Sequence, residues 1–391
     1  MIPIKYNLRS IWARKVGSLM TIVSTGIAVG ASVFALGLSA GLDQTLEVSA
    51  GPLDIIVLRQ GSSSETASGV SEAVAREILA LPGIATDQQG RPLAAPELVV
   101  VTYLPRRGNA GSANVTIRGA LPVSRDLREG MKVVEGRDFH PGLREAIVSR
   151  KLAGRFEGLG MNEEFVVQDK SFKVVGLFEA GGGATESEIW TDQKVLAQVA
   201  NRTGGTSSVQ IRAASKADQE TLLNHIKADE QIALKAITEV QYFADQAQAG
   251  LVLRLLGQII AFFLTIGAMF AVANTMYGAI ATRAREIGTL RSLGFGRGSI
   301  LTAFLLESLV LCLVGAIVGC LASIALTKLF GGQSAGTMNG VTFTEIVFAF
   351  SFGPNVLIKG ALLAVFLGVV GGFLPALRAV RMKVVDALRE V

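Results

Sequence analysis

Four stretches of this chain, residues 16–42, 255–282, 308–327 and 360–377, contain no Asp, Glu, Lys or Arg. Each approaches or exceeds the roughly 20 apolar residues that carry a helix across a bilayer, and a helix satisfies its backbone polar groups within its own segment. A purely soluble fold is therefore not expected. Composition agrees, since half of the 391 residues are hydrophobic and the mean hydropathy is +0.46. Four spanning helices are predicted, over 17–42, 251–281, 299–329 and 357–377. The first run follows Lys5, Arg9, Arg14 and Lys15 and contains Leu38-Ser39-Ala40, a weak leader-cleavage pattern. Its apolar part far exceeds the roughly 7–15 residues of a leader, so an uncleaved anchor is expected.

Basic residues set the orientation. Lys5, Arg9, Arg14 and Lys15 precede the first span, Arg283, Arg285, Arg291 and Arg297 lie between the second and third, and Arg378, Arg381, Lys383 and Arg389 follow the fourth. With four spans these groups share one side, while the opposite flanks hold only Arg254, Lys328 and Lys359. Segment 1–16, the 282–298 hairpin and the 378–391 tail are thus expected on the cytoplasmic side, with 43–250 and the 330–356 loop outside.

Residues 43–250 carry 22 Lys+Arg against 27 Asp+Glu, net −5, and the remainder carries 15 against 5, net +10. The positive charge is thus membrane-facing. Anionic lipid and a cytoplasmic partner are its expected counterparts, and nucleic acid is not. The two cysteines, Cys312 and Cys320, lie in the third span, eight residues apart on one helix and too far apart to be bridged.

The outer segment reads as mixed α+β in two small lobes. LDIIVLRQG (53–61) and SSVQIRA (207–213) are strand-like, and 98–120 and 164–180 read as hairpins. SEAVAREILALPGI (71–84) and KADQETLLNHIKADE (216–230) have helical spacing. Residues 231–250 are expected to lead into the second span as a stalk helix. The N-terminal residues 1–16 mix apolar and basic side chains, as an interfacial helix or a simple basic flank would. In the 330–356 loop Glu345 is the only charge, and its interrupted apolar middle is expected to lie outside the bilayer.

Enzyme chemistry finds little purchase. The only histidines, His140 and His225, show no metal-ligand spacing, and no Gly-Lys dipeptide exists, so no phosphate-binding P-loop can be built. If ATP drives this protein, another chain binds it. Gly26, Gly30, Gly37 and Gly41, with Gly315 and Gly319, recur at close-packing spacings, either between subunits or between spans of one subunit. Glu307 lies about two turns into the third span, either paired with a partner or snorkelling to the headgroups. In TRAREIGTLRSLGFGRG (282–298), Ile287, Leu290 and Leu293 interleave Arg283, Glu286 and Arg291 at helical spacing before Gly294 and Gly296. A short amphipathic helix results, suited to a partner's groove.

RAREIGTLRSLG resembles the segment after the second span in MacB/FtsX-type (type VII) ABC transporter permeases. AFLLESLVLCLVGAIVGC, with Glu307, is similar to the family's third span, and LPALRAVRMKVVDALREV to its C-terminal ending. VVEGRDFHPGLREAIVSRKLAGRF and FKVVGLFEAGG resemble its extracytoplasmic core domain. Val384 stands where members usually carry proline, and no part of this sequence reads as an ATPase domain, so a separate ATPase chain is expected. The resemblance implies a helical membrane protein with a mixed α+β domain inserted between its first and second spans. It implies a non-catalytic permease subunit that exports or extracts a substrate by mechanotransmission, or alternatively an FtsX-like signal transmitter that activates envelope hydrolases. ATP and Mg would sit on a separate ABC ATPase. A second permease copy or paralogue and a periplasmic adaptor are the other implied partners. Arg283, Arg285, Glu286 and Arg291 would contact the ATPase, with Ile287 and Leu290 filling its groove.

Overall fold

The computed structural model describes residues 14–109, 111–228, 233–249, 251–330, 335–339 and 341–382. The chain forms two units, Met1–Ala40 with Val252–Gln333 and Phe350–Val391, and Gly41–Leu251 with Ser334–Ala349. It opens with α1 (Lys15–Ser49), whose residues from Gly41 onward belong to the second unit.

The second unit continues through β1 (Asp54–Arg59), β2 (Val70–Ser71), α2 (Glu72–Leu79) and the long β3 (Ala94–Pro105). Next come β4 (Ser112–Ala120), α3 (Pro122–Asp126), β5 (Lys132–Gly136), β6 (Glu145–Ser149) and α4 (Arg150–Ala153). The expected hairpin at 164–180 is β7 (Glu164–Val167) and β8 (Lys170–Glu179), paired antiparallel. β9 (Glu188–Asp192), α5 (Gln193–Val199), β10 (Gly205–Thr206), β11 (Ser208–Arg212) and α6 (Lys216–Ala228) follow. Residues 231–250 are not helix throughout: β12 (Leu234–Thr238) precedes the stalk helix α7 (Glu239–Ala249).

Ten of these strands make one mixed sheet, in the order β12-β1-β11-β3-β4-β9-β6-β8-β5 with β7 on β8. β3 joins the two lobes. Its Ala94–Glu97 portion pairs with β11 and its Leu98–Pro105 portion with β4. Alternation along the strands gives the sheet two unlike faces. On one face, Ile55, Val57, Val209 and Ile211 pack in an apolar cluster with Ile78 of α2 and Leu222 of α6. In the other lobe Ile117, Val148, Phe156 and Phe172 form a second cluster with Leu152 of α4 and Leu196 of α5. Full burial of each large side chain contributes about 2–3 kcal/mol. The helices start where local chemistry allows: Ser71 Oγ accepts the Val74 amide at 3.4 Å, and Asp192 Oδ1 the Val195 amide at 2.9 Å.

The spans of the first unit, beyond α1, are α8 (Leu251–Ala281), α10 (Arg297–Phe330) and α11 (Pro354–Arg381), with the short α9 (Ala284–Ser292) between α8 and α10. With α1, these are four helices long and apolar enough to cross a membrane. Glycines bring α1 against α10: a Cβ on Gly30 would meet the Gly319 carbonyl at 3.0 Å, and one on Gly315 the Ile22 carbonyl at 2.9 Å. In lipid, where packing drives association, such closeness is the benefit of small residues. The glycine stripe therefore serves packing within one subunit.

The 330–356 loop contains a hairpin of β13 (Ala335–Met338) and β14 (Glu345–Phe348) that belongs to the second unit. Glu345 is buried and accepts the Nε of both Arg106 and Arg155 at 3.0 Å. Asn339 Nδ2 donates to Gln246 Oε1 of α7 at 2.7 Å.

Candidate functional site

In α9, spacing places Ala284, Ile287 and Gly288 on a buried face and leaves Arg285, Glu286, Thr289 and Ser292 exposed. Ile287 is 2% exposed, in the cluster that holds Ile280, Ile300, Ala376 and Val380. The helix stops at Gly294, whose φ of 90° is the left-handed conformation that favours glycine. Just before it, Leu293 is 72% exposed.

The arginines at its two ends turn inward. Arg283 Nε donates to Glu286 Oε2 at 2.9 Å and its Nη1 to Glu307 Oε2 at 3.2 Å, while its guanidinium lies 5.5 Å from the Phe304 ring centre. Glu307 is 1% exposed and accepts Arg14 on its other oxygen. One carboxylate thus ties the start of α1 and the start of α9 to α10. A carboxylate at this depth is tolerable because both oxygens meet cations. Arg291 Nη1 donates to the carbonyls of Val380, at 3.4 Å, and Met382. These lie at the end of α11, where carbonyls have no partner within their own helix.

The six hairpin residues singled out from sequence therefore have different positions. Ile287 is a correction: it packs in its own unit's core and is not available to fill a partner's groove. Arg283 and Arg291 bond within the unit, Leu290 is half-buried, and Arg285 and Glu286 face out. Of the three apolar residues read at helical spacing, Leu293 is the exposed one; sequence reasoning missed Arg14 as a Glu307 partner. The clue for Arg14 was that it ends the basic flank just before α1, as Arg283 does just after α8.

The second unit contains a contrasting centre on the sheet face beneath α7. Arg118 of β4 is buried and bonds Glu65 at 2.8 Å, Glu97 at 2.6 Å and Glu188 at 2.7 Å. Arg128 also reaches Glu97, at 3.0 Å, and both guanidinium groups lie about 6 Å from the Trp190 ring centre. Burial works against ionisation of Glu65, yet Arg118 and the Ser208 hydroxyl hold its pKa down to about 2. Burial pushes Glu239, at the start of α7, up to about 7, despite Arg128 and the Gly51 amide that donates to it at 2.8 Å. Gly51 follows α1, so this bond joins the two chain segments nearest the first and second spans.

Family models place these observations. An FtsX-like permease C-terminal model matches residues 258–384, and a MacB-like periplasmic core domain model matches 18–229, more than half of the chain. The chain belongs to the MacB/FtsX-type ABC transporter permeases. It is 25% identical to the ABC transporter permease YknZ of Bacillus subtilis, covering 99% of this chain and 98% of that one. The pyoverdine export ATP-binding/permease protein PvdT of Pseudomonas fluorescens is 28% identical over 66% of this chain and 40% of its own length. Macrolide export protein MacB of Acinetobacter baylyi is 32% identical over 30% of this chain and 16% of its own. The crystal structure of the YknZ extracellular domain aligns over 47% of this chain and all of that one, at 17% identity and a TM-score of 0.35. This permease is a multi-pass membrane protein with a mixed α/β extracytoplasmic domain between its first and second spans. The C-terminal departure at Val384 lies outside the described residues.

Proposed function

We propose that this permease couples ATP hydrolysis on a separate ABC ATPase, which carries ATP and Mg, to movement of its extracytoplasmic domain, and so exports or extracts a substrate at the outer face of a bacterial inner membrane. One observation carries the reading. The helix with an exposed polar face, α9, is tied on its inner side to three other elements: to α1 and α10 through Glu307, and to α11 through Arg291. A push on Arg285, Glu286 and Leu293 would be felt by three spans rather than absorbed by one loop. Motion can then pass along the chain, which crosses between the two units four times. Such coupling requires no substrate tunnel through the bilayer.

Two permease copies, or this chain with a paralogue, would assemble with two ATPases. α8 supports pairing, because it is the least buried of the four spans and exposes Leu255, Ile259, Phe262, Phe263 and Phe270. Both termini would be cytoplasmic, and a periplasmic adaptor would extend the assembly where the substrate must travel further.

The test is ATP turnover by the cognate ATPase co-purified with the permease in nanodiscs. Glu286→Arg reverses an exposed charge on α9 and is expected to abolish association or permease-dependent turnover. Normal complex formation and turnover by this variant would sink the coupling role.

A further inference from the structure

Two short segments far apart in sequence, TASGVS (66–71) and RTGGTS (202–207), face one another across an open groove of about 470 Å³ in the second unit. They are joined at one end by the antiparallel pair β2–β10, with Gly205 opposite Ser71 and Thr206 opposite Val70. Gly204 turns the second wall at φ 91°, a left-handed conformation. Besides these walls the groove has only Arg59 and Leu98 in its lining, which contains no Asp or Glu and no aromatic ring.

The charge is arranged against the trend of the domain. Residues 43–250 are net −5, yet this groove presents two guanidinium groups, Arg59 and Arg202, both exposed. Neither pairs with a carboxylate among the described residues. Arg59 is held to one wall by a single bond from Nη2 to the Ala67 carbonyl at 3.3 Å, which leaves most of its donors open. Glu65, immediately before the first wall, is drawn away by two bonds to Arg118, at 2.8 and 2.9 Å, and one from Ser208 at 2.6 Å. The remaining lining mixes hydroxyl residues, Thr66, Ser71 and Thr203 among them, with glycines, Ala67 and Val70.

We infer that this groove binds a polyol phosphate. Its volume falls within the roughly 300–1,000 Å³ of small-molecule sites. Planar guanidinium forks match phosphate oxygens and form charge-assisted bonds stronger than neutral ones. Ser68, Thr206 and Ser207 are buried and bonded to backbone groups, which leaves the Thr66, Ser71 and Thr203 hydroxyls, donors and acceptors at once, to meet the hydroxyls of the polyol. The missing aromatic ring argues against a nucleobase or a stacked sugar. The inference does not depend on the ATPase reading, because it concerns binding alone.

Calorimetric titration of the full permease in phosphatidylcholine nanodiscs tests it, with glycerol 3-phosphate, glycerol, inorganic phosphate and a short-chain phosphatidylglycerol as probes. Glycerol 3-phosphate is expected to bind and glycerol not to. Arg202→Gln and Arg59→Gln should each weaken binding about tenfold or more. Both sites are exposed, so the thermal unfolding midpoint should stay within about 1 °C of wild type. Binding of phosphatidylglycerol with the same arginine dependence, and not of free glycerol 3-phosphate, would assign the headgroup of a lipid as the source. Equal affinity for inorganic phosphate would overturn the polyol assignment. Heat unchanged in the double variant, or none from either organic phosphate, would overturn the site.

Discussion

In the first unit one carboxylate, Glu307, is shared by two arginines, Arg14 and Arg283; in the second, one arginine, Arg118, is shared by three carboxylates, Glu65, Glu97 and Glu188. The arginines on Glu307 lie at the starts of different helices and are partly exposed, at 23% and 11% of their side chains. The groups around Arg118 come from adjacent strands and one tight turn, and its own side chain is 6% exposed. A partly wetted pair between separate elements can yield and re-form. A cluster buried within one sheet yields less readily, because opening it leaves charges unpaired in a low dielectric. The first centre can rearrange, and the second holds its part of the sheet in one geometry.

The largest expected effect comes from breaking the fixed centre. Arg118→Met leaves three carboxylates facing one another and should destabilise the outer domain by about 3–5 kcal/mol, measured by denaturant unfolding followed through the fluorescence of buried Trp190. Unfolding like that of wild type would show that the cluster opens to water and would erase the contrast.

Glu307→Gln should leave that unfolding transition unchanged and reduce permease-dependent ATP turnover roughly a hundredfold, about 2.7 kcal/mol. Retained turnover would make Glu307 a packing residue only.

Glu239 sharpens the comparison through pH. Four carboxylates, Glu65, Glu97, Glu188 and Glu239, share Arg118 and Arg128, and Glu239 holds its proton up to about 7 against an ordinary 4.5. Between these values the folded state binds more protons than the unfolded one, so this stabilising contribution is full below pH 4.5 and lost as pH rises through 7. Glu65, with its folded pKa near 2, adds only a small opposite slope near pH 5, where its unfolded carboxyl is still partly protonated. The outer domain should therefore be about 2–3 kcal/mol more stable at pH 5 than at pH 8, and Glu239→Gln should flatten the difference. A persistent slope in the variant would assign the proton elsewhere.

The smallest effect is at the exposed end of α9. Leu293→Asp should weaken ATPase association by about 1–2 kcal/mol, with no change in the thermal stability of the permease alone. An unchanged affinity in pull-down titration would move the contact off that end of the helix.

The spans were legible because hydropathy is a local property: each charge-free run became a helix whatever its neighbours did. The hairpins at 98–120 and 164–180 were legible from alternation for the same reason. The strand at 234–238 was not, because five residues beside a long helical pattern declare themselves only by pairing with β1. Within the hairpin, helix and polarity could be read, but not which arginines turn inward, since that depends on Glu307 of another helix and on Arg14, 293 residues from it.

Sequence alone thus determined four membrane spans, a large domain between the first two, a short basic helix between the second and third, and the family to which such a pattern belongs. These follow from composition and spacing along contiguous residues. Tertiary structure decided that Ile287 belongs to the core, that the 330–356 loop closes onto the second unit as a hairpin, that one sheet face carries a buried charge cluster, and that residues 66–71 and 202–207 make a groove. Each of these depends on which distant segments meet. A buried charge or a cavity wall acquires its energy from its neighbours, and those neighbours are specified only once the chain has folded.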